Sequence, residues 1–176
     1  MFLLDGFSYN QGEGEAILED FDVAALSHAE IFRGADARKY GALTLGGAIN
    51  LVPLTGYNAA PFRVRLEGGS YGYLRGQMSG GAVEGPLDQF GSIGFRTRDG
   101  FREHSREDTE ILFADLGYKL SEQAENRFYL TLDRTDRDLP RGLTKSEMES
   151  APWQANLLAT VQDWKRIGRT FGLRTS

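Results

Sequence analysis

The chain has no cysteine among its 176 residues, which excludes a disulfide framework, a thiolate metal site and a thiol nucleophile. It lacks an apolar run long enough to cross a bilayer as a helix, so a helical membrane protein is excluded; strands crossing as a barrel give only weak alternating signals and are not excluded by this. It has no basic stripe. Its net charge is −5, residues 1–57 carry 3 basic and 8 acidic side chains, and residues 58–176 carry 17 of each, a balance that excludes nucleic acid as the expected partner. Met1-Phe2-Leu3-Leu4 is followed at once by Asp5-Gly6 with no basic n-region, so these residues are not expected to be a signal peptide.

The composition carries 22 glycines, 11% aromatics and 40% hydrophobic residues. That hydrophobic content is low for strands buried on both faces and ordinary for strands with one polar face. From Phe62 the period is two: Phe62, Val64 and Leu66 alternate with Arg63, Arg65 and Glu67, the pattern of a strand with one apolar and one wet face. A second strand runs from Leu74 through Met78 to a turn at 84–88, and a third from Phe90 to Thr97. After a polar loop over 99–108, a fourth strand spans Glu110 to Leu120, a short turn spans Ser121 to Asn126, and a fifth strand spans Arg127 to about Asp136. The longest loop follows, to Ala155, with a capping-box pattern at Thr144 to Glu147 that predicts a short helix over 145–149. A sixth strand starts near Lys165 and still runs at Ser176. Short and long connections thus alternate along an antiparallel meander, the layout of up-and-down outer-membrane barrels.

Ahead of this meander lies the densest motif. Over residues 30–50 the order is a short apolar strand at Ile31-Phe32, Arg33-Gly34, Tyr40-Gly41, Gly46-Gly47, and a second strand from Ala48 that includes Ile49-Asn50 and ends at Pro53. The glycines are expected to supply positive φ or close backbone approach, and proline ends a strand because it cannot donate to a ladder. Phe2 to Phe7 reads as a strand entering a turn, and Phe21 to Leu26 as a helical turn. A change of charge balance near Tyr57 coincides with the loop 55–61 and marks a domain boundary.

The ordered set Arg-Gly, Tyr-Gly, Gly-Gly, Ile-Asn resembles the end of the plug in TonB-dependent outer-membrane receptors. Leu4-Asp5-Gly6 resembles the strand preceding it. The segments GGSYGYLRGQMSGG (68–81) and GPLDQFGSIGFRTRDGFREHS (85–105) and the strand end at Leu116 to Leu120 resemble the family's first barrel strands. Residues 138–144 resemble a Leu-Pro-Gly-x-Leu-Thr loop of its ferric-siderophore members, interrupted by Arg141. The resemblance implies a mainly β fold: the C-terminal part of a plug domain over 1–57, then about five to six antiparallel strands of an incomplete transmembrane β-barrel over 58–176. Plugged transporters have about 22 strands. The chain is therefore expected to be an internal piece of a receptor, inactive alone, and without the region that holds the signal peptide and TonB box.

The resemblance further implies TonB-dependent uptake of a ferric siderophore or similar metal chelate across the Gram-negative outer membrane. The partners would be the TonB complex, through a segment missing here, and outer-membrane lipid. No covalent chemistry, catalytic residue, resident metal or cofactor is implied. By resemblance Arg33 faces the barrel wall and pairs with glutamates on later strands; an ordinary exposed arginine is the alternative. Arg137 and Arg141, taken as members of the longest loop, are candidate substrate contacts, since guanidinium groups hold carboxylate or catecholate oxygens in bidentate fashion; solvated loop charge is the alternative. Tyr71, Tyr73, Trp153 and Trp164 fit either interfacial aromatic girdles or core packing.

Two enzymatic or metal patterns match only by letters. Gly68 to Gly72 fits G-x-S-x-G, yet a strand rather than a helix is expected to follow Ser70. Asp133, Asp136 and Asp138 miss the ligand spacing of a calcium loop. The alternative of another class is a soluble or surface β-sheet binding module, in which Phe62, Val64, Leu66, Ile93 and Phe95 face a protein core.

Overall fold

A computed structural model of the chain describes residues 1–10, 16, 21–41, 44, 46–156 and 163–175. The first part forms a four-stranded sheet from β1 (Phe2–Leu4), β2 (Phe7–Ser8), β3 (Leu26–Phe32) and β4 (Ala48–Pro53), in the order β2-β1-β4-β3. β1 and β4 run parallel, and the other pairs antiparallel. Asp5 (φ 46°) and Gly6 (φ 89°) make the two-residue turn between β1 and β2, the mirror-type turn that matches strand twist. Two 3-10 turns, Val23–Ala25 and Gly34–Tyr40, flank β3; the first lies within the helical turn expected from sequence. β3 begins at Leu26, earlier than the Ile31-Phe32 pair alone suggests.

The second part is one antiparallel meander: β5 (Arg63–Gly68), β6 (Leu74–Glu84), β7 (Leu87–Arg98), β8 (Glu107–Ser121), β9 (Ala124–Asp138) and β10 (Asp163–Thr175), with each strand paired to the next. β7, β8 and β9 are longer at both ends than their apolar alternation indicates, because backbone pairing continues through charged residues such as Arg98↔Glu107 and Glu107↔Arg137. Arg137 consequently belongs to β9, not to the loop where sequence reasoning put it. Helix α1 (Lys145–Ser150) forms with a complete capping box between Thr144 and Glu147. Ser176 and part of the mixed stretch 14–29 lie outside the described residues. Among those described, the sheet does not close: β5 and β10 are its edges.

Alternation sorts the six strands into two unlike faces. One carries exposed Val64, Leu66, Met78, Ile93, Phe95, Leu116, Tyr118, Phe128, Leu132, Ile167, Phe171 and Leu173. The other carries buried Gln77, Ser79, Asp88, Ser92, Glu107, Thr109, Asp115, Arg127, Thr131, Asp133 and Thr135, relieved by three buried aromatics, Phe90, Phe113 and Tyr129. The small sheet packs on this polar face. Leu4, Phe21, Ala25 and Leu51 form one core cluster with the three aromatics, and Phe21 meets Phe113 edge-on at 5.6 Å.

Candidate functional site

The motif over 30–50 folds the small sheet upon itself. Gly47 (φ 115°) sits so close to β3 that a Cβ there would lie 2.6 Å from the Phe32 carbonyl; only glycine allows both the conformation and the approach. Gly34 and Gly41 also have positive φ, whereas Gly46 does not, and a Cβ there would meet nothing within 4 Å among the described residues, so the expectation of a backbone constraint there is corrected. Tyr40 packs on Phe32 at 5.1 Å, and Lys39 Nζ lies over both rings at 4.2 and 4.8 Å. Ile49 pairs with Phe2 on one side and Ile31 on the other. Buried Asn50 accepts from Gly6 N at 2.8 Å and donates to Glu30 Oε2 at 2.8 Å, tying three segments through one amide. Arg33 is exposed in extended conformation ahead of the second 3-10 turn.

Three aspartates hold the small sheet and the linker between β4 and β5 to the wall formed by the six-stranded sheet. Asp5 accepts from Tyr129 Oη and Arg174 Nη1. Asp22, buried, caps the first 3-10 turn and accepts from Arg75 Nη2 and, at 2.6 Å, from Gln77 Nε2. Asp88 works from the wall side, accepting from Gly56 N at 2.5 Å and Arg127 Nη2 at 2.5 Å. Arg127 also donates to Asp115 at 2.8 Å. At Gly56 a Cβ would strike the Ala82 carbonyl and Asp88, and at Gly81 it would lie 2.8 Å from the Ala59 Cβ, so the linker lies flat against β6 with Gly81 N donating to Ala60 O at 3.1 Å. These contacts carry no sequence motif; apart from Arg127–Asp115, 12 positions apart, and the local cap made by Asp22, each joins residues at least 21 positions apart.

At the end of the same face away from Asp88, buried Glu107 gathers three guanidinium groups: Arg96 at 2.7 Å, Arg98 at 2.7 Å and Arg137 at 2.9 Å. Arg137 also lies over the Trp164 ring at 5.6 Å. One carboxylate among three arginines leaves this end of the polar face cationic, suited to an anionic ligand. The adjoining loops are stitched together. Arg102 donates to the carbonyls of Pro140, Arg141 and Gln154 at 2.6–3.1 Å, Glu103 N donates to Trp153 O at 2.7 Å and Asp99 N to Tyr71 O at 2.8 Å. Arg141 (φ 53°) is held by its own carbonyl, so the two sequence-predicted arginines occupy different settings: Arg137 on the wall, Arg141 in the pinned loop.

Tyr71 meets Phe101 edge-on at 5.8 Å, Tyr73 donates to Glu67 at 3.0 Å, Trp153 is exposed, and Trp164 faces the polar side with Arg137. Ser70 lies in the hairpin loop before β6, not between a strand and a helix. Among the described residues no group of three His, Cys, Asp or Glu side chains is placed to hold a metal ion.

No protein-family model matches the chain. It is 29% identical over 125 residues, covering 66% of this chain and 15% of the relative, to the ferric-pyoverdine M114 receptor PbuA of Pseudomonas sp. (strain M114). The matched stretch thus spans 15% of that relative's length. Among solved structures, P. aeruginosa FpvA bound to a heterologous pyoverdine superposes with a TM-score of 0.67 at 18% identity, covering 99% of this chain and 25% of that one. The ferric citrate transporter FecA in its unliganded form gives 0.67 at 19% identity over 88% of this chain and 25% of that one. The siderophore receptor PiuA from Acinetobacter baumannii gives 0.58 at 15% identity over 78% and 19%. At such identities the structural likeness is one of fold.

Proposed function

We propose that this chain, which resembles TonB-dependent outer-membrane siderophore receptors in sequence and in fold, is the end of a plug (1–57) joined to the first six barrel strands (58–176) of a receptor that takes up a ferric siderophore. The observation that carries the reading is the reversed amphipathicity of the six-stranded sheet. Its apolar face is open while its polar face is covered by the small sheet, which water would not favour and a bilayer would. On β8 the apolar series Leu112, Ala114, Leu116, Tyr118, Leu120 extends roughly 27 Å along the strand, or about 20 Å across a bilayer at the usual tilt, close to the height of an outer-membrane apolar band. The chain would thus lie in the outer membrane of a Gram-negative bacterium, with TonB engaging a segment outside these residues.

The long loops then face outward, and Arg96, Arg98 and Arg137 line the entrance with net positive charge. A ferric chelate with carboxylate, catecholate or hydroxamate oxygens is the ligand this wall suits, with Arg141 a second contact on the pinned loop. Its passage needs displacement of the plug and no bond-making by the protein. The relatives are receptors and a transporter, in keeping with a protein that is not an enzyme.

The test is accumulation of ⁵⁵Fe from ferric pyoverdine and from ferric citrate by iron-starved cells expressing the intact protein, with and without working TonB. TonB-dependent accumulation of either is expected, and Arg137→Ala is expected to weaken binding of that chelate about tenfold, the loss of one charge-assisted contact. Equal accumulation by cells lacking the protein would sink the reading.

A further inference from the structure

Asp22 and the entrance cluster share one strip of wall. Arg75, which holds Asp22, is the direct cross-strand partner of Arg96, which holds Glu107. Like charges directly opposite on one face repel, and here each is neutralised by a carboxylate on its far side, Asp22 from the plug and Glu107 from β8. Arg75 has a further, longer contact to Glu67 at 3.8 Å. Beside the two arginines lies a cavity of about 30 Å³ whose polar lining is Asp22, Arg75, Arg96 and Thr109 and whose remaining lining is mostly apolar, from Phe21 and Val23 among others, room for a water or a single anionic oxygen. At the far end of the sheet the linker is fixed independently, through Asp88, Gly56 and the glycines of β6.

We infer that Asp22 is a ligand-displaced latch: an anionic oxygen of the incoming chelate enters beside Arg75 and Arg96, takes the place of the Asp22 carboxylate, and releases the outer end of the plug while the Asp88–Gly56 anchor holds. The inference rests on the transport reading for the identity of the ligand. The physical basis is competition. Asp22 and the chelate offer the same chemistry to the same arginine, so each lowers the other's occupancy by the same factor. Asp22 also caps the turn Val23–Ala25, so its departure loosens the segment that packs Ala25 and Phe21 into the core. Sequence separation hides this device, since Asp22 and Arg75 lie 53 positions apart.

The experiment uses the intact protein in outer-membrane vesicles, with Ala25→Cys as a buried reporter and Ala48→Cys as a control within the small sheet, both read by maleimide labelling. Saturating ferric pyoverdine, or ferric citrate if that is the chelate bound, is expected to raise labelling at position 25 about tenfold, within the usual range of coupling, and to leave position 48 unchanged. Asp22→Asn and, separately, Arg75→Gln are expected to label fast at position 25 without any chelate, and chelate is expected to add little. Saturable chelate binding with no rise at position 25, or both variants labelling at the parent rate, would overturn the latch. Failure of both chelates to bind would overturn the transport reading and the ligand-driven step with it, while the variants still report whether Asp22 holds the plug.

Discussion

Glu107 is 1% exposed and is the shared counter-ion of Arg96, Arg98 and Arg137. Removing one member of a buried ionic group leaves the others uncompensated, at about 3–5 kcal/mol for well-buried pairs; with Arg98 half in solvent the lower end applies. Glu107→Ala is therefore expected to lower stability by about 3 kcal/mol, measured by denaturation in detergent, and an unchanged midpoint would show the arginines to be neutralised otherwise. Residue roles of this kind were only partly legible. Arg137 stands out in the sequence as a cation of the longest loop, but it lies on β9 and its partner Glu107, 30 positions away on β8, bears no motif. Arg33, singled out by resemblance, is exposed, whereas the carboxylates that join the small sheet to the six-stranded one come from aspartates.

At the scale of elements, helix α1 was legible because its cap is local: Thr144 and Glu147 need only three residues to recognise each other. The Glu147 carboxyl is held below its ordinary value of 4.5, first by the Thr144 backbone N–H and then by the Thr144 hydroxyl. A lowered carboxyl pKa contributes stability that is present above the unfolded value and is lost as pH falls through the folded one. Chemical shifts of Lys145–Ser150 are thus expected to move toward coil as pH drops below about 4.5; helical shifts persisting to pH 2 would show that the cap does not hold the helix. Strand ends were less legible than strand centres, since charged residues keep pairing after alternation stops. The parallel pairing of β1 with β4 had no local signal, and the turn over Gly34–Tyr40 only the positive-φ glycines at its two ends.

For the molecule as a whole, the open apolar face separates a membrane wall from a soluble sheet. Ile93 is 58% exposed near the middle of β7. In a bilayer Ile93→Arg is expected to cost about 2–4 kcal/mol, the penalty for arginine on the lipid face near the midplane. In a soluble binding module the same change would leave stability in plain buffer nearly untouched. Refolding of the intact protein into lipid vesicles, followed by urea titration, distinguishes the two, and a cost near zero would favour the module.

What the sequence determined by itself was periodic and local: a mainly β chain, the meander of six strands, the capped helix, and the glycine-punctuated motif whose resemblance pointed to a receptor plug. Those signals survive in one dimension because alternation, caps and turns act over a few residues. What only the tertiary structure decided was which face of the meander is covered and by what. The small sheet sits on the polar face, held by Asp5, Asp22 and Asp88, and that choice turns the apolar side outward. Such contacts join residues far apart in the chain, and their energy comes from hydrogen bonds and charge pairs across two sheets, which no local pattern encodes.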